Sequence, residues 1–554
     1  MKKIFTLLLL VGFGHGWANA QCVEIPTNRV LLVGDSWAAF MNGDQTITNG
    51  LKNVGHSDKK FTSTLSIAQN GAQTDDFLQA DKQTDIQNII DANPQIDIVH
   101  LSIGGNDLLG DWNVSMTQAQ TDSLALAVRY RLDSIVDFLE GTRPGMRVFW
   151  AGYTYPNFEE VIEDVAPFQT FHPFYGTWSD MGQPDFITIN TILNDMSDSV
   201  AAVADTDPQL DFVPAQGILQ YTVGQNSPLG VAPGGTYPPQ TAPLPLGYPD
   251  YPSPKSAMRL YASSFTDAFH LSPKSYLEMF TYQAEKFYQK FFMDDLYALS
   301  SGGNLDGSVT SNGIVSQELE MGEDVAGNEI AAVVSFDTQN MADTTLSKAS
   351  IFLRRESIKG TNPIVNGTVQ VKMVNGNFGT TADVEAVDFT ETGDVSDEVC
   401  KGGAFGNNSK DGNWFRIDLT AEMLQNINSS ESVQFMISVP GFTGGSITFS
   451  DATNPEWAPI LNFKYGETPA EPNGINDVYS RELPVYPIPT TGALTIGVAA
   501  NSIQSIEVIN LLGSIVLNPS VNDNRIDISE LPVGSYILRI TTDEGISAKR
   551  ILKR

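Results

Sequence analysis

Ser36 follows Gly34 and Asp35 at the end of an apolar run, and His270 stands three residues after Asp267. A serine hydroxyl is a weak nucleophile until an imidazole accepts its proton, and the imidazole needs a third group to hold its tautomer. Serine, aspartate and histidine in this order are the parts of an acyl-transfer centre. A short Gly-Asp-Ser triplet serves equally well as a helix cap, so the other histidines matter. Outside the leader these are His56, His100 and His172. His100 falls in an apolar run and reads as a hydrogen-bonded histidine in a sheet. His56 lies in a polar Gly-His-Ser-Asp stretch and reads as solvated. His172 sits in the aromatic segment 168–178 and is a candidate substrate contact. His270 precedes Leu271-Ser272-Pro273, the cap and first turn of a helix.

Two further segments lie between the serine and the histidine: Asn70-Gly71 and Gly104-Gly105-Asn106-Asp107. With Gly34-Asp35-Ser36 before them and Asp267-Ala268-Phe269-His270 after, the order resembles the SGNH (GDSL-like) hydrolase family. The resemblance covers about half the chain. It implies Ser36 as nucleophile, His270 as general base, Asp267 as its orienting carboxylate, and an oxyanion hole formed by Ser36, Gly71 and Asn106. It also implies an α/β/α flavodoxin-like fold, a carboxylic ester as substrate, and neither metal nor cofactor.

The elements that must position these groups are legible as well. Runs at 29–33, 96–103, 147–153 and 210–214 read as buried parallel strands, and 117–139 and 187–203 carry apolar residues at helical spacing. Two long excursions interrupt them. The first, 156–185, carries Phe158, Phe168, Phe171, Phe174, Tyr175 and Trp178. The second, 228–254, holds nine of the thirty prolines with Tyr237, Tyr248 and Tyr251. Trp178 and Tyr248 are candidate substrate contacts; such rings either stack on a ligand or pack their own loops down.

Length and texture predict a multidomain chain: a signal peptide at 1–20, the catalytic domain at 27–297, a linker at 298–313, a β-sandwich at 314–465, a linker at 466–478, and a small Ig-like β domain at 479–554. The sandwich has a faint resemblance to secreted carbohydrate-associated modules, carried by Ser335-Phe336-Asp337 and the strands at 349–354 and 460–465. Trp414 and Trp457 read either as core or as sugar platforms, and the turn 394–397 either as a solvated loop or as a calcium site. In the tail, Tyr486-Pro487-Ile488-Pro489-Thr490-Thr491-Gly492, the strand 506–510, Leu531-Pro532-Val533-Gly534-Ser535-Tyr536 and the basic end 549–554 resemble the C-terminal sorting domain of the Bacteroidetes type IX secretion system. That resemblance implies the secretion machinery as a partner and a secreted or outer-surface location.

Net charge sets the exclusions. The chain carries −33, which disfavours nucleic acid and anionic lipid. No apolar run after the leader reaches the roughly twenty residues of a membrane helix. Of the two cysteines, Cys22 and Cys400, neither has a second cysteine or histidine at metal-ligand spacing; they pair with each other or stay separate. A lipid anchor on Cys22 is disfavoured by Gln21. Three functions remain: a secreted carbohydrate O-acyl (acetyl) esterase acting on acylated polysaccharide, a lipolytic esterase or thioesterase, and a catalytically silent surface-binding protein.

Overall fold

The computed structural model describes residues 25–226, 235–261, 265–293, 296–300, 302–339, 341, 345–406, 408–427, 432–466, 485–486, 490–496, 503–509, 515–520, 524–532, 534–542 and 545–553. The expected signal peptide and Cys22 lie outside them, as does nearly all of the expected linker 466–478. The chain divides into two units, residues 1–467 and 468–554.

The first unit begins with five parallel strands: β1 (Thr27–Gly34), β2 (Lys59–Thr62), β3 (Ile98–Ser102), β4 (Arg147–Trp150) and β5 (Leu210–Phe212), in the order β2-β1-β3-β4-β5. The apolar runs are continuous because both faces are covered. Val30, Leu32, Ile98 and Phe149 pack on one side. With α1 (Ser36–Gly43), α2 (Thr46–Asn53) and α4 (Gly105–Asp111) as the other helices up to residue 141, Leu31, Val33, Val99, Leu101, Val148 and Trp150 pack on the other side, against α3 (Ala80–Ala92) and α5 (Gln118–Gly141). Helix α5 starts at a Thr117–Gln120 capping box, and the helix Phe186–Ala204 at the Asp185 cap. Strand β2 was not legible: Lys59-Lys60-Phe61-Thr62 has one buried residue, as suits a polar edge. Because β2 and β3 go to opposite sides of β1, the carboxyl ends of β1 and β3 flank the point where the strand order reverses. Open α/β sheets place their ligands there.

An antiparallel assembly of 13 strands follows, from Leu296–Leu299 to Ile460–Tyr465. It corrects the expected linker 298–313. Leu299 pairs with Ile460, and Gly307–Thr310 pairs with Glu329–Asp337. Gly307 permits a close approach in this pairing, since a Cβ on it would lie 2.3 Å from the Ser316 carbonyl oxygen. Trp414 is fully buried, so it is core and not a platform. Val395–Glu398 is a strand, and Asp394 Oδ2 accepts the Asn375 N–H at 2.9 Å. Among the described residues no group of three or more acidic, histidine or cysteine side chains is placed to hold a metal. Cys400 is disulfide-bonded.

The two layers of the first unit share a core. Phe352, Trp414 and Ile460 of the antiparallel layer pack into the same cluster as Val30, Trp37 and Leu51 of the α/β layer. Arg416, 2 % exposed, donates through Nη1 to Asp58 Oδ1 at 2.8 Å and the Gly55 carbonyl at 3.1 Å, and through Nε to Asp418 at 2.9 Å. His56 is thereby buried, against the expectation of a solvated loop: its ring packs 5.4 Å from Phe352 and its Nε2 bonds the Gln289 carbonyl at 2.9 Å. Burial pushes it down to about 4. His100 is the sheet histidine expected, stacked on Phe149 and bonded through Nδ1 to the Tyr288 hydroxyl at 2.9 Å. Burial pushes it down to about 3.

The second unit forms sheets of three and four strands around Leu494, Ile496, Val508, Ile526, Leu538, Ile540 and Ile551. Within the Leu-Pro-Val-Gly-Ser-Tyr motif, the Tyr536 hydroxyl donates to the Pro532 carbonyl at 2.9 Å.

Removing Arg416 strands a buried polar cluster. Arg416→Ala is expected to lower the unfolding free energy by about 3 kcal/mol in urea titrations. His56 and His100 are neutral when folded but ordinary when unfolded, so the unfolded chain takes up more protons in acid. Their contribution is whole above pH 6.5 and is lost as pH falls toward about 4 for His56 and about 3 for His100. Urea midpoints at pH 7 and 4.5 are expected to differ less in His100→Asn than in the parent.

Candidate active site

Strand β1 ends at Gly34, whose φ of +148° and tight surroundings admit no side chain: a Cβ would lie 1.9 Å from the Ser102 carbonyl oxygen of β3. The chain then turns directly into α1 (Ser36–Gly43), where Asp35 caps the helix by accepting the Trp37 N–H at 2.9 Å. Ser36 is therefore the first residue of a helix, with an N–H that has no intrahelical acceptor.

His270 arrives from outside the five-stranded sheet. It lies on Phe265–Leu271, a strand paired in a hairpin with Met258–Tyr261. Asp267 lies on the same strand, 1 % exposed. Its Oδ1 accepts the N–H groups of Phe269 and His270, both at 2.8 Å, and its Oδ2 meets His270 Nδ1 at 2.9 Å. With Nδ1 donating to the carboxylate, Nε2 is the acceptor, and it lies 2.8 Å from Ser36 Oγ. Two rings hold the imidazole from the sides: Phe40 at 4.8 Å and Phe174 at 5.9 Å between centroids. Arg259 covers Phe40 at 4.2 Å and is ion-paired to Asp44, tying the hairpin to the end of α1. Beyond His270, Ser272 caps the helix Pro273–Gln283 with proline in its first turn.

Gly71 and Asn106 are brought together at the carboxyl end of β3. Asn106 is on α4 (Gly105–Asp111), and its side-chain amide donates to the Ala72 carbonyl at 2.9 Å. An amide carries two N–H groups, so one remains for a ligand. Gly71 has φ +77° with open space around its Cα, and its N–H has no acceptor among the described residues. The loop is held from behind by Asp107, fully buried. This carboxylate accepts the Thr74 N–H at 2.9 Å, the Thr74 hydroxyl at 2.6 Å and Arg131 Nη1 at 2.9 Å. Burial raises Asp107 above the usual carboxylate range, and the Thr74 and Arg131 contacts oppose that rise.

The three substrate-contact candidates have other uses. His172 spends both ring nitrogens on backbone groups: Nδ1 accepts the Phe174 N–H of its own loop at 3.2 Å, and Nε2 donates to the Thr266 carbonyl of the His270 strand at 2.9 Å. Trp178 is core, its indole N–H on the Pro184 carbonyl at 3.1 Å. Tyr248 packs on Tyr237 and Tyr251, and its hydroxyl donates to the Thr241 carbonyl at 3.0 Å. From the aromatic excursion it is Phe174 that reaches the imidazole, placed there by the His172 bonds. Phe40, Tyr153 and Arg131 were missed, because nothing in their local sequence separates them from ordinary helix and strand residues.

Residues 484–554 match the family model of the secretion system C-terminal sorting domain. The tail is a secretion sorting domain. A chain bearing such a sorting domain is a secreted or cell-surface protein, and among the described residues no helix is long and apolar enough to cross a membrane. No curated protein matches the chain. Among solved structures, a carbohydrate acetylesterase from Sinorhizobium meliloti is 13% identical, with 48% of this chain and 100% of that one covered and a TM-score of 0.27. A lipopolysaccharide acetyltransferase periplasmic domain from Salmonella Paratyphi A is 13% identical, covering 48% and 85%, with a TM-score of 0.26. A GDSL-like lipase from Bacteroides thetaiotaomicron is 12% identical, covering 46% and 87%, with a TM-score of 0.25.

A serine hydrogen-bonded to an oriented imidazole is open to electrophilic phosphorus. A fluorophosphonate is expected to label the chain once, on Ser36, and His270→Gln to slow labelling by about a hundredfold or more, read by intact mass and peptide mapping.

Proposed function

We propose that this chain is a secreted serine esterase of the SGNH type that hydrolyses carboxylic esters through an acyl-enzyme. The observation that carries this reading is the relay Asp267–His270–Ser36, with contacts of 2.9 and 2.8 Å, set where the strand order reverses. Ser36 Oγ attacks the ester carbonyl carbon as its proton passes to His270 Nε2, and the carbonyl π electrons move onto oxygen. The Ser36 N–H, the Gly71 N–H and the second N–H of the Asn106 amide are the donors for that oxyanion. When the tetrahedral species collapses, the C–O bond to the alcohol breaks and the imidazolium returns its proton to the leaving alkoxide. Water, deprotonated by the same imidazole, then attacks the acyl-serine, releasing the acid and restoring Ser36. Asp267 stays ionised throughout and stabilises the imidazolium.

A carbohydrate O-acyl substrate is the finer reading. It is supported by export to the cell surface and by the aromatic rings beside the imidazole, where Phe174 meets the half-exposed Tyr261 at 6.3 Å. A ring with one face in solvent suits the apolar face of a sugar. One observation favours the lipolytic alternative. Phe168, Phe171 and Leu260 are all more than 60 % exposed on the segments that flank His270, and clustered exposed apolar groups suit acyl chains.

p-Nitrophenyl acetate and octanoate separate these readings. Wild-type protein is expected to hydrolyse the acetyl ester faster, and Ser36→Ala to lose at least about 10³-fold in kcat. Faster turnover of octanoate would establish the lipolytic reading. Unchanged turnover in Ser36→Ala would remove the serine mechanism.

A further inference from the structure

One buried hydroxyl spans the two turns on which the proposed chemistry depends. Tyr153 follows β4 and is 2 % exposed. Its hydroxyl donates to Asp35 Oδ2 at 2.6 Å and accepts the Gly105 N–H at 2.9 Å. Asp35 immediately precedes the nucleophile, and Gly105 immediately precedes Asn106. A single oxygen therefore links the end of β1 to the end of β3, from the segment after a third strand, β4, that supplies no reacting group. Asp35, fully buried, is saturated from both sides, with Oδ1 on the Trp37 N–H at 2.9 Å.

The surroundings leave this link little room to move. The Tyr153 ring lies edge-on to Trp37 at 4.9 Å and stacks on Phe269 at 5.6 Å, and Phe269 is the residue before His270. At Gly105 a Cβ would come within 2.9 Å of the Tyr153 ring and 3.0 Å of Phe269. The backbone of α4 is thus seated against the ring whose hydroxyl it bonds. Burial holds the phenol well above its usual range, so it keeps its proton and remains a donor to Asp35. A buried tyrosine serves packing no better than phenylalanine unless its hydroxyl is used. Here both of its hydrogen bonds go to residues adjoining the site.

We propose that Tyr153 is a positioning residue, its hydroxyl braced on Asp35 to fix the separation between the Ser36 turn and the Gly105–Asn106 turn. This rests on the serine-esterase reading above. Displacing the Asn106 amide from its oxyanion position weakens a contact made in the transition state, so kcat should respond and KM should not.

The test is a double-mutant cycle between Tyr153→Phe and Asn106→Ala on p-nitrophenyl acetate, with thermal midpoints measured alongside. Tyr153→Phe is expected to lower kcat about tenfold with KM within about twofold. In the Asn106→Ala background the same substitution is expected to cost less than about twofold, because the donor it positions is gone. A loss below twofold in the parent background, or an equal loss in both backgrounds, overturns the proposal. Should Tyr153→Phe fail to fold, Asp35→Asn takes its place in the cycle with the same expected pattern and the same overturning results. Failure of the esterase reading is separate: it appears as full activity in Ser36→Ala or as wild-type protein unreactive to fluorophosphonate.

Discussion

The hydrogen bond between Ser36 and His270 joins residues 234 positions apart, and much of the α/β layer can be understood as what holds its two ends still. The serine end is fixed by β1, by the glycine that lets β1 touch β3, and by the Asp35 cap. The histidine end has no central strand to carry it. It hangs on a two-stranded hairpin held from outside by three attachments: the Arg259–Asp44 pair, the His172 bond to the Thr266 carbonyl, and the capped helix that follows. An imidazole displaced by an ångström would lose its 2.8 Å contact with Ser36 Oγ. The number of independent tethers on so short a hairpin reflects that tolerance.

The parallel strands and long helices were legible because burial on two faces writes uninterrupted apolar runs, and helical spacing survives in 117–139 and 187–203. The four site segments were legible because each needs a residue type that nothing else at that place requires: a glycine with no room for a Cβ, a serine at a helix start, an amide, a carboxylate three residues before a histidine. What stayed hidden depends on distant chain. His56 reads as solvated because its neighbours are polar, and it is buried because Phe352, almost three hundred residues later, covers it. The strand Gly307–Thr310 reads as linker because its partner Glu329–Asp337 decides the matter. The three expected substrate contacts are aromatic or imidazole groups in long loops, and local sequence does not distinguish a ring turned to a ligand from one that fastens its own loop.

The polar groups around the centre divide the labour by burial. Asp267 faces two backbone N–H groups and an imidazole. Asp107 sits further back, bonded to Thr74 and Arg131, and sets the loop that carries Gly71. Asp35 is deeper still, and burial raises it to about 7; both of its oxygens are taken, by the Trp37 N–H and the Tyr153 hydroxyl, and it serves as a strut. Three aspartates within one small region thus have three different environments, and only Asp267 faces the imidazole.

The shared core of the α/β and antiparallel layers has a consequence for modularity. A binding module joined by a flexible tether can be exchanged, duplicated or lost without disturbing the enzyme beside it. Here Phe352, Trp414 and Ile460 complete the packing around Leu51 and Val54, and Arg416 closes hydrogen bonds that begin on Gly55 and Asp58. A chain ending near residue 297 would leave that face bare and its polar groups unanswered. Recombination would therefore treat the two layers as one heritable piece, and variation in what the protein recognises would have to arise in loops rather than by swapping the second layer.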